Sequence, residues 1–124
     1  PLSTPDADQW RAGPRPGTSM PDAPVTDASG NPIFLTDAFV RDGTRFALLT
    51  FGNGKAFEAP EGVGTIRVGG ADGIVDAEGL AGTRYDAGNG ATYLLRPDGY
   101  VAARFRQPTR AAIDAALARA CGLN

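Results

Sequence analysis

The chain has 124 residues and a net charge of −2, from 12 basic and 14 acidic side chains. That length holds one domain around one core, and the charge balance lacks the basic excess of a nucleic-acid-binding surface. With no His and a single Cys, the chain has no Ser-His-Asp or Cys-His catalytic set, no His-ligated metal, no disulfide, no CxxC pair and no zinc knuckle.

Seventeen Gly and ten Pro point to a folded but loop-rich domain. No apolar run is long enough to cross a membrane and no signal peptide is visible, so a cytoplasmic setting is expected. The first residue is Pro rather than Met, and the expectation is a piece of a longer polypeptide.

Residues 1–21 read as a linker. Pro1, Pro5, Pro14, Pro16 and Pro21 interrupt it, each removing a backbone donor and turning its predecessor away from helix. Trp10 and Met20 are the large side chains able to pin it to a neighbouring surface. Residues 22–124 read as the domain itself. Ala23 to Thr26 and Pro32 to Phe34 form short strands about the turn Asp27 to Asn31. Thr36 is placed as the N-cap of a short helix over Asp37 to Val40, ended by Asp42-Gly43.

Arg45 to Phe51 is the strongest strand. Its apolar run is continuous, as in a strand covered on both faces. Gly52-Asn53-Gly54 breaks it, one helical turn is expected over Lys55 to Ala59, and Thr65 to Val68 forms a second core strand. Asp76 to Asp86 reads as a short helix weakened by Gly79 and Gly82. Ala91 to Arg96 and Tyr100 to Arg106 form a hairpin about Arg96-Pro97-Asp98-Gly99, a type I turn followed by a bulge. Along the first strand Thr92, Leu94 and Arg96 share one face and Tyr93 and Leu95 the other. On the return strand Val101, Ala103 and Phe105 alternate against Tyr100, Ala102, Arg104 and Arg106.

The last helix runs from about Thr109 to Cys121, with Ile113, Ala116, Leu117, Ala120 and Cys121 on its apolar face. This order predicts an α/β sandwich of thioredoxin type, with a mixed central sheet, a C-terminal β-hairpin and a capping helix. It lacks the CxxC helix, since no Cys pair follows the central strand.

Leu94-Leu95-Arg96-Pro97-Asp98-Gly99-Tyr100-Val101-Ala102-Ala103-Arg104 resembles the terminal hairpin of the FAD-dependent aromatic hydroxylases. That family includes phenol hydroxylase, 3-(3-hydroxyphenyl)propionate hydroxylase and the polyketide hydroxylases. Phe46-Ala47-Leu48-Leu49 resembles a strand of the same domain. Gly13-Pro14-Arg15-Pro16-Gly17 and Pro21-Asp22-Ala23-Pro24 resemble the segment entering it, and Pro1-Leu2-Ser3 the end of the preceding substrate domain. The resemblance implies a larger enzyme that uses FAD, NAD(P)H and O₂ to hydroxylate an aromatic ring, with this chain as its thioredoxin-like C-terminal domain. It implies the chain's own upstream FAD and substrate domains as partners, with a contact helping a homodimer form. No cofactor is expected on this chain, because Gly52-Asn53-Gly54 and Gly62-Val63-Gly64 each lack the third Gly of a dinucleotide fingerprint. The rival readings are a standalone, redox-inert thioredoxin-like binding module and a one-Cys redox enzyme of peroxiredoxin type, for which Cys121, at a helix end, is in the wrong place.

The individual side chains lead to structural roles. Cys121 is expected to pack as a buried small hydrophobe. Arg96, Arg104 and Arg106 have the fork geometry to bind an anion such as a dinucleotide phosphate. The plainer expectation is a solvated sheet face, or pairing with carboxylates of the parent enzyme, with Arg96 to Asp98 as one pair. Asp98, like Asp42 and Asp72, is explained by its turn, and Asp6, Asp8 and Asp22 lack calcium-loop spacing. No catalytic or metal-binding residue is assigned. Trp10, Met20 and Tyr100 stand as interface candidates, with packing on the chain's own core as the other reading.

Overall fold

The computed structural model describes residues 3–43, 45–52, 59–69, 73–88 and 90–122. The helical turn expected over Lys55 to Ala59 falls almost wholly outside these residues, as does Asp72.

Strands β1 (Pro24–Thr26) and β2 (Pro32–Phe34) form an antiparallel hairpin. Asp27 organises its loop by accepting the Ser29 and Asn31 amides on Oδ1, both at 2.9 Å. These amides, with Asn31 the stronger, hold its carboxyl below the ordinary aspartate value. Helix α1 (Leu35–Arg41) starts at once, with Phe34 rather than Thr36 as its N-cap. The shift has a clear cause. Asp37 in the first turn takes the Phe34 amide at 2.9 Å, and Asp22 takes the Thr36 amide and hydroxyl at 3.0 and 2.8 Å. Two carboxylates thus satisfy amides that a helix start leaves open.

Strands β3 (Ala47–Phe51), β4 (Gly64–Val68), β5 (Ala91–Leu95) and β6 (Val101–Phe105) make one mixed sheet in the order β4-β3-β5-β6. β3 runs parallel to β4 and antiparallel to β5, which pairs antiparallel with β6. The continuous apolar run of β3 is therefore a central strand, as expected. Helix α2 (Leu80–Arg84) is a single turn. Asp76 accepts the Ala81 and Gly82 amides at its start, and Gly79 sits in the left-handed region, so the helix cannot extend back to Asp76.

Helix α3 (Arg110–Ala120) closes the fold, capped by the Thr109 hydroxyl accepting the Ala112 amide at 3.1 Å. It buries Ile113 and Ala116 against Leu48, Leu94 and Ala103 on one face of the sheet. The opposite face carries Leu49, Phe51, Ile66, Tyr93 and Leu95, covered by Val25, Leu35, Phe39 and Tyr85.

Two sequence expectations change here. Cys121 is exposed. It is the C-cap, one residue past the last helical turn, and leaves the packed face. Val101 does not share a face with Ala103 and Phe105. The register slips between Leu94 and Leu95, so Ala102 is the extra residue of a bulge. Val101 joins the Tyr93 side, and Ala102, Ala103 and Phe105 the Leu94 side.

Candidate functional site

The hairpin motif comes first because it aims β6. The Gly99 amide donates to the Arg96 carbonyl and the Arg96 amide to the Tyr100 carbonyl, both at 2.8 Å. Asp98 accepts the Tyr100 amide at 3.1 Å and Arg96 Nη2 at 2.8 Å, so the expected Arg96–Asp98 pair forms. Gly99 at φ +84° completes the turn, and its carbonyl accepts the Met20 amide at 2.8 Å. The Arg96 guanidinium lies 5.9 Å from the Tyr100 ring centre. Pro97, Asp98 and Gly99 therefore shape a corner, and Tyr100 stays 43% exposed at its edge.

Residues 3–21 contain no regular element beyond one bridge from Ser19 to Tyr100. They nevertheless lie bound along β6. The Thr4 amide donates to the Ala102 carbonyl at 2.9 Å, and Asp6 and Asp8 follow alongside Arg104 and Arg106. The chain then doubles back. The Gly17 amide meets the Val101 carbonyl at 2.7 Å, and the Val101 amide meets the Thr18 carbonyl at 2.8 Å. This strap covers the outer edge of the sheet, which would otherwise present unpaired amides and carbonyls.

Arg104 is the hinge of the arrangement, only 5% exposed. Its Nε and Nη2 donate to the two Asp6 oxygens at 3.0 and 2.8 Å, and Nη1 donates to the Ala12 carbonyl at 3.0 Å. Burial by itself would lower its pKa. The Asp6 and Tyr93 hydrogen bonds outweigh that and keep the guanidinium charged. Arg106 donates through Nη1 to the Asp86 carbonyl, through Nη2 to Asp86 Oδ2 at 2.8 Å and through its own amide to Asp8 Oδ2 at 2.9 Å. Asp86 also accepts the Arg11 and Ala12 amides at 2.9 and 3.2 Å. The Arg11 amide, ahead of the Ala12 amide and Arg106, holds its carboxyl below the ordinary value.

Trp10 packs over both guanidinium groups, 4.3 Å from Arg104 Cζ and 3.8 Å from Arg106 Cζ. Its ring also meets Tyr93 at 5.6 Å, and Tyr93 meets Tyr85 edge-on at 5.0 Å. The Tyr93 hydroxyl donates to the Tyr85 carbonyl, and the Tyr85 hydroxyl to Pro21. Burial pushes the Tyr93 phenol up to about 12 and raises that of Tyr85 further. Beside Trp10 an open groove of about 800 Å³ runs between Gln9, Arg11, Asp86, Arg106 and Gln107.

Arg104 and Arg106 are thus not on a solvated face, and their carboxylates come from this same chain. Asp6, which pairs with Arg104, and Asp8, which takes the Arg106 amide, are residues whose spacing fits no calcium loop, while Asp86 pairs with Arg106. A signal for them exists: Asp6 and Asp8 alternate as Arg104 and Arg106 do, which is the pattern of neighbouring extended segments. Since the donors of both arginines are committed inside the domain, the arrangement fastens the strap and does not present a ready anion site. Trp10 and Met20 pack partly buried against the chain's own core. Among the described residues, no group of three or more Cys, Asp or Glu could hold a metal ion, and no helix is long and apolar enough to cross a membrane.

The family model described as aromatic-ring hydroxylase, C-terminal, matches residues 13–123. The chain belongs to this family. Its fold is shared by the flavin-dependent monooxygenase PieE, at 22% identity and a TM-score of 0.73 over 99% of this chain and 24% of that one. Aklavinone-11 hydroxylase matches at 25% identity and a TM-score of 0.66, over 96% of this chain and 25% of that one. The Diels-Alderase PyrE3 matches at 28% identity and a TM-score of 0.51, over 83% and 18%. The chain therefore spans about a quarter or less of the length of these structures. No curated protein matches it by sequence.

Proposed function

We propose that the chain is the accessory C-terminal domain of an FAD-dependent, NAD(P)H-using aromatic-ring hydroxylase, and that it makes and breaks no bond itself. The observation that carries this reading is the family match over residues 13–123, in a chain that spans only 24% and 25% of two FAD-containing monooxygenase structures. A similar segment in a protein named for a Diels–Alder reaction supports a domain whose fold does not set the chemistry. The thioredoxin-like label rests on the strand order β4-β3-β5-β6, with β3 and β4 parallel and a hairpin and helix to close.

FAD would supply the oxygen activation, held by domains that precede this chain. Among the described residues, the Gly62-Val63-Gly64 run does not fit the cofactor. Gly62 to Gly64 lead into strand β4 and not into a helix, so they offer no helix N-terminus to a pyrophosphate. The domain's work is burial of surface against the preceding flavin and substrate domains, and at a contact between two copies. Exposed Phe34, Val40, Val75 and Tyr100 are available for such packing. A cytoplasmic location belongs to the same proposal.

The test is turnover by the native protein that carries this sequence. Oxidation of NADH or NADPH stimulated by phenols or polycyclic aromatic compounds, with a hydroxylated product, supports the reading. A native protein without flavin or pyridine-nucleotide oxidation would leave a standalone binding module in its place.

A further inference from the structure

The strap is fastened at three places. Asp6 holds both ends of the Arg104 fork, Asp86 holds the Arg11 and Ala12 amides, and Val101 and Gly99 hold Gly17, Thr18 and Met20. Between the first two lies Trp10, stacked on both arginines. The fastening is coupled to the interior, because Arg104 is buried and Asp6 is its charged partner. Taking Asp6 away would strand a charge inside the domain. The family match begins at residue 13, so Asp6, Asp8 and Trp10 all lie outside it.

We propose that residues 4–20 are a lock and not a tether. The Asp6–Arg104 pair fixes the course of the chain along β6, so polypeptide preceding residue 3 enters the domain at one point and in one direction. This rests on the reading above that flavin and substrate domains come first. The lock then holds the C-terminal domain in one orientation against them. A free linker of the same length would instead allow an end-to-end spread of roughly 25 Å.

Trypsin reads the lock directly in the full-length native protein. Arg11 is exposed, while the Arg11–Ala12 bond has both flanking amides bound to Asp86 and the Ala12 carbonyl bound to Arg104. Cleavage there requires the strap to open, and its rate follows the open population. Asp6→Asn should speed cleavage after Arg11 at least about tenfold. Cleavage after Arg110, at the start of α3, should not change.

Should Asp6→Asn unfold the domain and expose every arginine together, the Asp6→Asn/Arg104→Met pair removes the stranded charge and keeps the lock open. Small-angle scattering of the same proteins should show a larger radius of gyration once the lock is released. Equal rates after Arg11 in wild type and variants would overturn the lock. So would a freed Arg11 bond with an unchanged radius. A colourless protein would defeat the hydroxylase reading while leaving the trypsin comparison to decide the lock.

Discussion

Gly13 gives the sharpest test of whether the strap is packed on the core. Its φ is +83°, and a Cβ built there would stand 2.8 Å from the Tyr93 hydroxyl oxygen and 3.0 Å from the Tyr85 carbonyl oxygen. Gly13→Ala therefore carries two costs. The left-handed backbone costs an L-residue roughly 1–2 kcal/mol, and overpacking against the buried tyrosine pair adds about 1–3 kcal/mol. Gly30 separates them. It has φ +87° with nothing within 4 Å of a built Cβ, so Gly30→Ala carries the backbone cost alone. Urea unfolding of the two variants should show Gly13→Ala worse by about 1–3 kcal/mol, a large share of a domain's marginal stability. Adding Tyr93→Phe removes the nearer contact, so the double variant should lose about 1 kcal/mol less than the sum of the singles. Equal losses for Gly13→Ala and Gly30→Ala, with additive behaviour in the cycle, would show that the strap does not lie on Tyr85 and Tyr93.

Three further outcomes are expected. Thr109→Ala removes the cap of α3 and should cost about 1 kcal/mol in thermal or urea unfolding, whereas Thr109→Asp should restore it. Tyr85 and Tyr93 have folded pKa values above that of a free phenol, so their contribution is complete below about pH 10 and is lost as pH rises towards the folded values. An absorbance titration should show their phenolates appearing with unfolding and not before. Asp86 has a depressed folded value, so its contribution is present above about pH 4 and is lost as pH falls through the folded value. Asp86→Asn should flatten the acid limb of the stability profile and loosen the strap at Arg11.

The parts of the fold written in local chemistry were legible in the sequence. Arg96 to Gly99 specify their corner through Pro, Asp and Gly, the apolar run of β3 announces a covered strand, and Thr109 starts α3. The helix α1 start was misplaced because its two captured amides answer to Asp37 and to Asp22, which lies 14 residues before Thr36. The strap has the sequence of a linker for the same kind of reason. Its prolines describe local conformation correctly, but what binds it is the Asp6–Arg104 ion pair across 98 residues, the Arg11 and Ala12 amides held by Asp86, and a Trp held by cations. The alternation of Asp6 with Asp8 and of Arg104 with Arg106 is only two residues long on each side, too short to name its partner before the fold brings the two segments together. Arg104 looked like the solvated half of an alternating strand. It is buried because residues 4–12, a segment without the apolar run of a strand, lie over it. The bulge at Ala102 likewise depends on pairing with Leu94 and Leu95, and it reassigned Val101 to the other face.

The central claim is that this chain is the tail of a flavoprotein, and the most direct measurement is the intact mass and visible spectrum of the native protein captured with an antibody to these residues. The account predicts a yellow polypeptide about four times this length, in keeping with the 24% and 25% shares of the two FAD-containing monooxygenases. A colourless protein near 12.8 kDa would contradict it.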